Sequence, residues 1–217
     1  MRVEQADQDP HAVHGRSDQK RRAVVGAALE VFLENGYAGA SMDDIAARAA
    51  VSKVTVYKYF ADKQGLFIAV VTNAIQQAEK SSQSLVDSLA TSVDVEKDLR
   101  TFARQHIVLV TQPHLVQMRR MIIAEANRFP DLARTWHHTG PERGHTKLAA
   151  QIQQLARRGL LQVADPLLAA QHLNYLILSV PVNEAMFTGR DKPYSRQQLH
   201  RYADEAVRVF MAAYGRS

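Results

Sequence analysis

Twenty consecutive residues, from Ser41 to Phe60, constrain this chain more tightly than any other stretch of it. Ser41 is a good helix N-cap, and Asp43 and Asp44 follow in the first turn, where the helix dipole favours carboxylates. Ile45, Ala46 and Ala49 recur at three- and four-residue spacing and give that helix one apolar face. Ala46 is small, as a close helix crossing requires. Ala50-Val51-Ser52 supplies the turn, with Ser52 placed to cap a second helix. In that helix Val56 and Phe60 lie four apart and point inward, leaving Lys53, Thr55, Lys58 and Tyr59 outside. Cations, a hydroxyl and an aromatic ring on an exposed helix face suit a major groove flanked by phosphates. The pattern is that of a helix-turn-helix.

The rest of the chain also reads as helix. Residues 1–15 are polar, mixed in charge and non-periodic, and predict a disordered arm. A first helix is expected from about Ser17 to Asn35, with Val24, Ala28, Val31 and Phe32 as its core stripe and Gly36 as its stop. A longer helix opens at Asp62-Lys63. Further segments are expected over about Asp94–Thr111, His114–Arg128 and Asp131–Arg158, the last interrupted near Gly140-Pro141 and closed by Gly159. Asp165-Pro166 is an acceptor cap followed by proline at the first helical position, and it opens a helix to about Thr188, kinked at Pro181. Ser195 caps a final helix ending near Tyr214. No alternating strand pattern and no internal repeat occurs. The expectation is an all-α chain: an arm at 1–15, a three-helix helix-turn-helix head at 16–62, and a larger helical body at 63–217.

Composition excludes several classes. The 217 residues contain no cysteine, so there is no disulfide framework, thiolate metal site or cysteine nucleophile. No apolar run approaches the roughly 18 residues of a membrane span, and the N-terminus lacks a signal-peptide core. A cytoplasmic protein with no membrane partner is expected. The net charge of +5 decides nothing, because residues 1–65 carry nine Lys/Arg and nine Asp/Glu. Placement matters more: Arg16, Lys20, Arg21 and Arg22 precede or open the first helix, and Lys53, Lys58 and Lys63 follow. No serine elbow, phosphate loop or dinucleotide fingerprint is present, and Asp204-Glu205 beside Arg201 and Arg208 reads as a solvated, ion-paired face. No enzyme and no cofactor are expected. His137, His138, Glu142 and His145 form the one histidine cluster, but adjacent histidines diverge by about 100° on a helix. Surface histidines are the plainer reading, and no metal site is assigned.

From Gly36-Tyr37 through Ser41-Met-Asp-Asp-Ile-Ala to Val51-Ser-Lys-Val-Thr-Val-Tyr-Lys-Tyr-Phe-Ala-Asp-Lys63 and Leu66-Phe67, the chain closely resembles the DNA-binding domain of TetR-type (AcrR-like) transcriptional regulators. Cap, turn, second helix and the lysine opening the next helix all fall in register over about fifty residues. Two later stretches, Ile123–Leu132 and Leu155–Leu161, look like a C-terminal domain common in proteobacterial members. The resemblance implies that Lys53, Val54, Thr55 and Lys58 approach base edges. It also implies that Tyr57, Tyr59 and Lys63 hold phosphates, with Ser41 and Met42 near the backbone. Two positions depart from the family pattern. Ala50 stands where a turn glycine is usual, and an alanine at positive φ costs about 1 kcal/mol. Val54 replaces a common glycine and could meet a thymine methyl group.

In the body, Leu115, Met118, Ile122 and Phe129 form one stripe, and Trp136, Tyr175, Leu178 and Met186 lie on later helices. With Arg119, Asn174 or His137 as a polar anchor, they fit an apolar cavity for a small effector. Leu168, His172, Leu176 and Val180, then Tyr202, Ala206, Val209 and Phe210, give the last two helices enough apolar face to bury a partner. In the family the equivalent helices form a four-helix dimer contact. The expected function is that of a homodimeric, ligand-responsive regulator, most simply a repressor of a palindromic operator. The alternative is a helical ligand-binding or scaffold protein with a vestigial head.

Overall fold

The computed structural model describes residues 10–188 and 194–216, without the side chains of residues 10–16, 78, 79, 81–85 and 88. The chain divides into two compact units, Met1–Thr72 and Asn73–Ser217. Residues 1–9 of the expected arm lie outside the described residues. Among the described residues no strand forms, and one isolated antiparallel bridge joins Leu161 to Gly215.

The first unit holds α1 (Pro10–Gly39), α2 (Met42–Arg48), α3 (Lys53–Tyr59) and the opening turns of α4 (Lys63–Ser88). The first helix starts earlier than its sequence periodicity suggests. It breaks where expected, at Gly36, whose φ of 68° lies in the left-handed region that glycine tolerates. Val24, Ala28, Val31 and Phe32 turn inward and meet Ile45, Val56, Leu66 and Phe67, all nearly or fully buried. Phe32 and Phe67 pack edge to face at 5.1 Å, with the Tyr37 ring 4.9 Å from Phe67. Burying each such side chain favours folding by about 1.5–3 kcal/mol, so the aromatic trio anchors the head. The Arg48 guanidinium donates to both Glu34 carboxylate oxygens at 2.7 Å and to Glu30 at 3.3 Å, fixing α2 against α1.

The second unit contains α5 (Val95–Val110), α6 (Pro113–Ala124), α7 (Pro130–His137), α8 (Arg143–Arg157), α9 (Pro166–Phe187) and α10 (Arg196–Tyr214). The starts of α5, α9 and α10 follow from the caps in the sequence, while α6 and α7 open on a proline. The Asp94 carboxylate accepts from Lys97 N–H at 3.1 Å, and that of Asp165 from the Leu167 and Leu168 N–H groups at 3.0 Å. Ser195 and Gln198 cap α10 reciprocally. The interruption expected at Gly140-Pro141 is a π-helical stretch, His138–Glu142, between α7 and α8. Pro141 has no N–H to give the ordinary ladder, so the wider turn absorbs the mismatch. Gly159, at φ 73°, ends α8. The body core joins Leu99, Ala103 and Ile107 of α5 to Ile152 and Leu155 of α8, Leu173 and Ile177 of α9, and Ala203, Val207 and Phe210 of α10. A two-pronged ion pair from Arg104 to Asp204, both contacts at 2.7 Å, locks α5 to α10. Arg120 of α6 donates to the carbonyls of Ala185 and Met186, satisfying acceptors in the last turn of α9.

Candidate nucleic-acid interface and body cavity

The second helix of the helix-turn-helix is anchored at both ends. At its start the Ser52 hydroxyl accepts from Thr55 N–H at 3.2 Å and lies 2.8 Å from the Thr55 hydroxyl. At its end the Tyr59 hydroxyl meets Ser17 of α1 at 3.1 Å. Val56 is fully buried beneath it. These contacts leave Val54 78% exposed and Tyr57 45% exposed, with Lys53 and Lys58 beside them in solvent. Thr55 is half-buried. The turn keeps its left-handed backbone despite the alanine: Ala50 sits at φ 52°, and Val51 N–H closes on the Ala46 carbonyl at 3.1 Å. Ser41 caps α2 and takes the Asp44 N–H at 3.0 Å, whereas Met42 is buried, its side chain in the head core.

Two lysines have partners that the sequence reading did not anticipate. Lys63 does not project toward solvent. Its ammonium donates to the carbonyls of Tyr37 and Ala40 at 2.9 Å and of Ala38 at 3.3 Å, and it sits 4.8 Å above the Tyr37 ring. Without DNA, all three N–H bonds are thus committed to the end of α1, and Lys63 clamps the head. Lys53 is exposed but paired, its ammonium 2.8 Å from Asp43, which raises its pKa through that hydrogen bond and the accompanying charge attraction. Lys58 reaches solvent from the last turn. Lys20, Arg21 and Arg22 are exposed on α1, and the Arg21 guanidinium lies over the Phe60 ring at 5.4 Å.

The body encloses a cavity of about 200 Å³. Of the residues expected around an effector, Leu115, Met118, Arg119, Trp136, Asn174 and Leu178 line it. The others do not. Ile122 is buried in packing, and Phe129 precedes α7 with the Arg128 guanidinium over its ring. His137 is exposed. Tyr175 is 56% exposed, with its ring 5.7 Å from His145, and half-buried Met186 packs on the body core. The cavity wall instead gains Phe102, His106, Leu109 and Val110 from α5, Ala74, Ile75 and Val86 from α4, and His145 and Leu148 from α8. Sequence reasoning missed the α5 contribution. Its signal was a histidine inside the apolar stripe Phe102, His106, Leu109 and Val110, at three- and four-residue spacing.

His106 Nε2 lies 3.0 Å from the Asn174 carbonyl oxygen, and burial pushes its pKa down, helped by the nearby His145 and Arg119. Burial likewise lowers the pKa of His145. The exposed pair His138 and Glu142 meets at 2.9 Å, and this hydrogen bond holds the Glu142 carboxyl below the usual carboxylate range. Among the described residues no group of three or more His, Asp or Glu side chains converges as metal ligands.

The surface expected to pair with a second copy is partly present. Leu168, Leu176, Val180 and Val209 are each 41–52% exposed, and His172 is exposed with Nδ1 2.7 Å from the Tyr214 hydroxyl. Ala206 and Phe210 are corrected: both are buried in the protomer's own core, facing the opposite side of α10. Tyr202 is half-buried against that core.

A helix-turn-helix head whose second helix displays polar and apolar tips, joined to an all-helical body with an internal cavity, defines a DNA-binding transcriptional regulator. Residues 24–70 match the family described as bacterial regulatory proteins, tetR family, and residues 97–216 match the AefR-like transcriptional repressor C-terminal domain. The chain belongs to the TetR family. It is similar along its length to a TetR-family transcriptional regulator from Mesorhizobium loti MAFF303099. The two are 41% identical with a TM-score of 0.89, over 93% of this chain and 99% of that one. The flavonoid-responsive regulator FrrA is 27% identical with a TM-score of 0.70, over 91% and 98% of the two chains. The HTH-type transcriptional activator FasR of Mycolicibacterium smegmatis is 36% identical over 83 residues, 38% of this chain and 36% of that protein. The chain thus matches only about a third of that curated relative's length. These relatives are regulators rather than enzymes, and no helix among the described residues is long and apolar enough to cross a membrane.

Proposed function

We propose that the protein is a cytoplasmic, homodimeric repressor that binds a palindromic operator and releases it when a small, largely apolar effector fills the body cavity. The observation that carries the reading is the pairing of an exposed, doubly anchored second helix in the head with a preformed cavity in the body. Val54, Thr55, Tyr57 and Lys58 supply base and backbone contacts, with Lys53 available once it exchanges Asp43 for DNA. Ser41, Met42 and Tyr59 set the approach of α2 and α3 to the phosphate chain. Dimerisation through α9 and α10 is supported by the row Leu168, Leu176 and Val180 with Val209, because these large apolar side chains are left exposed and such patches are normally covered. Repression is favoured over activation by the match to a repressor-type C-terminal domain. An effector-responsive body is also in keeping with the similar fold of FrrA, a flavonoid-responsive regulator.

The switch would run through α4, which begins at the Lys63 clamp and contributes Ala74, Ile75 and Val86 to the cavity wall. An effector shifts such an equilibrium only by its differential affinity for two states, and coupling of about 1–3 kcal/mol is typical. Selection from a random DNA pool is the test. Expected are half-sites about one helical turn apart, a steep loss of affinity with salt, and an altered base preference for Thr55→Ala. Binding with no preference over random duplex would remove the reading.

A further inference from the structure

The cavity holds a charge that the protein leaves unanswered. Arg119 lies on α6 at the cavity wall, and among the described residues no carboxylate meets it. Its guanidinium faces the Trp136 ring at 5.1 Å. Burial depresses its pKa, yet a guanidinium stays charged at any ordinary pH. No Asp or Glu is among the described residues that line the cavity. Two further lining residues point the same way. His106 Nδ1 and His145 Nε2 are both buried without a hydrogen-bond partner, and His145 is only 7% exposed. A desolvated cation costs free energy unless it is paired, and stacking on an indole offsets that only in part. An anion entering here would gain a charge-assisted, two-pronged contact of the kind a guanidinium makes with a carboxylate.

The remaining lining sets the size and body of the ligand. Leu115, Met118, Leu148 and Leu178 are apolar, and the volume of about 200 Å³ is small. Drug-sized sites run to about 300–1,000 Å³, whereas an engineered cavity of about 150 Å³ accommodates benzene. We propose that the cavity takes a compact monoanionic carboxylate with an apolar body of about one ring's size, its carboxylate on Arg119 and its body among Leu115, Met118 and Leu178. Arg143 and Lys147 also line the cavity, but each already interacts within the protein, which leaves Arg119 as the unanswered cation among the described lining residues and favours a monoanion over a phosphate or sulfate dianion. This proposal rests on the cavity being the effector site and narrows the effector from an apolar molecule to an apolar acid.

Titration calorimetry on the full chain tests it, with benzoate and hexanoate as probes and the neutral benzamide and hexanamide as their counterparts. Each acid is expected to bind the wild type about ten- to one-hundredfold more tightly than its amide, the span of a hydrogen bond to a charged group. Arg119→Met should erase that preference and Arg119→Lys should keep part of it, with thermal melts certifying that both variants fold. Amides that bind as well as acids, acids that bind Arg119→Met unchanged, or no binding by any probe would overturn the proposal. A separate arm adds benzoate to the protein on its selected operator. Acid binding that depends on Arg119 but leaves DNA bound would keep the carboxylate site and sink the effector reading instead.

Discussion

The head and the body of this chain are both helical, yet they solve different problems. In the head, the two helices of the helix-turn-helix are short and side chains tie the unit down: Ser41 and Ser52 at N-termini, Lys63 on three carbonyls, Tyr59 on Ser17. Such a unit presents a fixed face, which suits a fixed partner such as a DNA groove. In the body, long helices bury a continuous core but leave an internal volume, an unpaired guanidinium and two unpartnered imidazole nitrogens. Those features cost stability and are what a binding cavity looks like before it is filled.

If the head is held by its clamp, Lys63→Met should have the largest effect of any single substitution in it. It strands the carbonyls of Tyr37 and Ala40, and each unsatisfied buried polar group costs about 1–3 kcal/mol. Amide hydrogen exchange should show the loss confined to α1–α3, with body protection retained. Operator affinity should fall because the head frays, while the salt slope of the remaining binding stays that of the wild type. A slope reduced by about one counterion would restore Lys63 to the phosphates and undo its assignment as a clamp.

The body should respond to pH where the head does not. Burial lowers the folded-state pKa of His106 and of His145, so the unfolded chain takes up protons first as pH falls. Stability is therefore fully present above the ordinary histidine pKa of about 6.5 and declines below it, until the folded-state values are reached. Each site can contribute a slope of at most about 1.4 kcal/mol per pH unit. Thermal melts between pH 7.5 and 5 should fall more steeply for the wild type than for the double variant His106→Gln, His145→Gln. Parallel curves would mean that neither ring is held neutral. Protonation opposes folding here, so a bound carboxylate, which favours the protonated rings, should flatten the same curve.

Legibility in the sequence follows the same division. The head was legible because its signals are local: Ser41 and Ser52 announce helix starts within four residues, as Asp165 and Ser195 do in the body, and Gly36 and Gly159 mark stops by positive φ. Ala50 was legible too, as a non-glycine residue where the turn demands a left-handed backbone. The Lys63 clamp was not legible because its partners lie more than twenty residues earlier, at Tyr37, Ala38 and Ala40, a contact no periodicity encodes. In the body, half of the candidate lining proved to be elsewhere for the same reason. A cavity is where stripes from α4, α5, α6, α8 and α9 fail to close, and sequence shows each stripe without the gap between them. Ala206 and Phe210 look like interface residues on a helical wheel, but α5 already covers that face of α10.

Ala50 offers the smallest effect and the sharpest view of how rigid the head is. Its φ of 52° places Cβ against the following carbonyl, a strain of roughly 1–2 kcal/mol that glycine would not bear. Against this, glycine enlarges the freedom of the unfolded chain, a loss of about 0.4–1 kcal/mol. Ala50→Gly should therefore leave stability unchanged or raise it by up to about 1.6 kcal/mol, read by denaturant unfolding of the full chain. Operator affinity separates two meanings of that result. If the strained alanine merely substitutes for glycine, affinity stays level as stability rises. If the Cβ stiffens the turn so that α3 meets DNA already oriented, the glycine variant is more stable yet binds more weakly, because the α2–α3 angle must then be fixed at the moment of binding. We expect the second outcome, since the bond from Val51 N–H to the Ala46 carbonyl closes the turn and Ala50 immediately precedes its donor. Equal affinity in both proteins would show that α3 is oriented by its Ser17 and Val56 anchors alone.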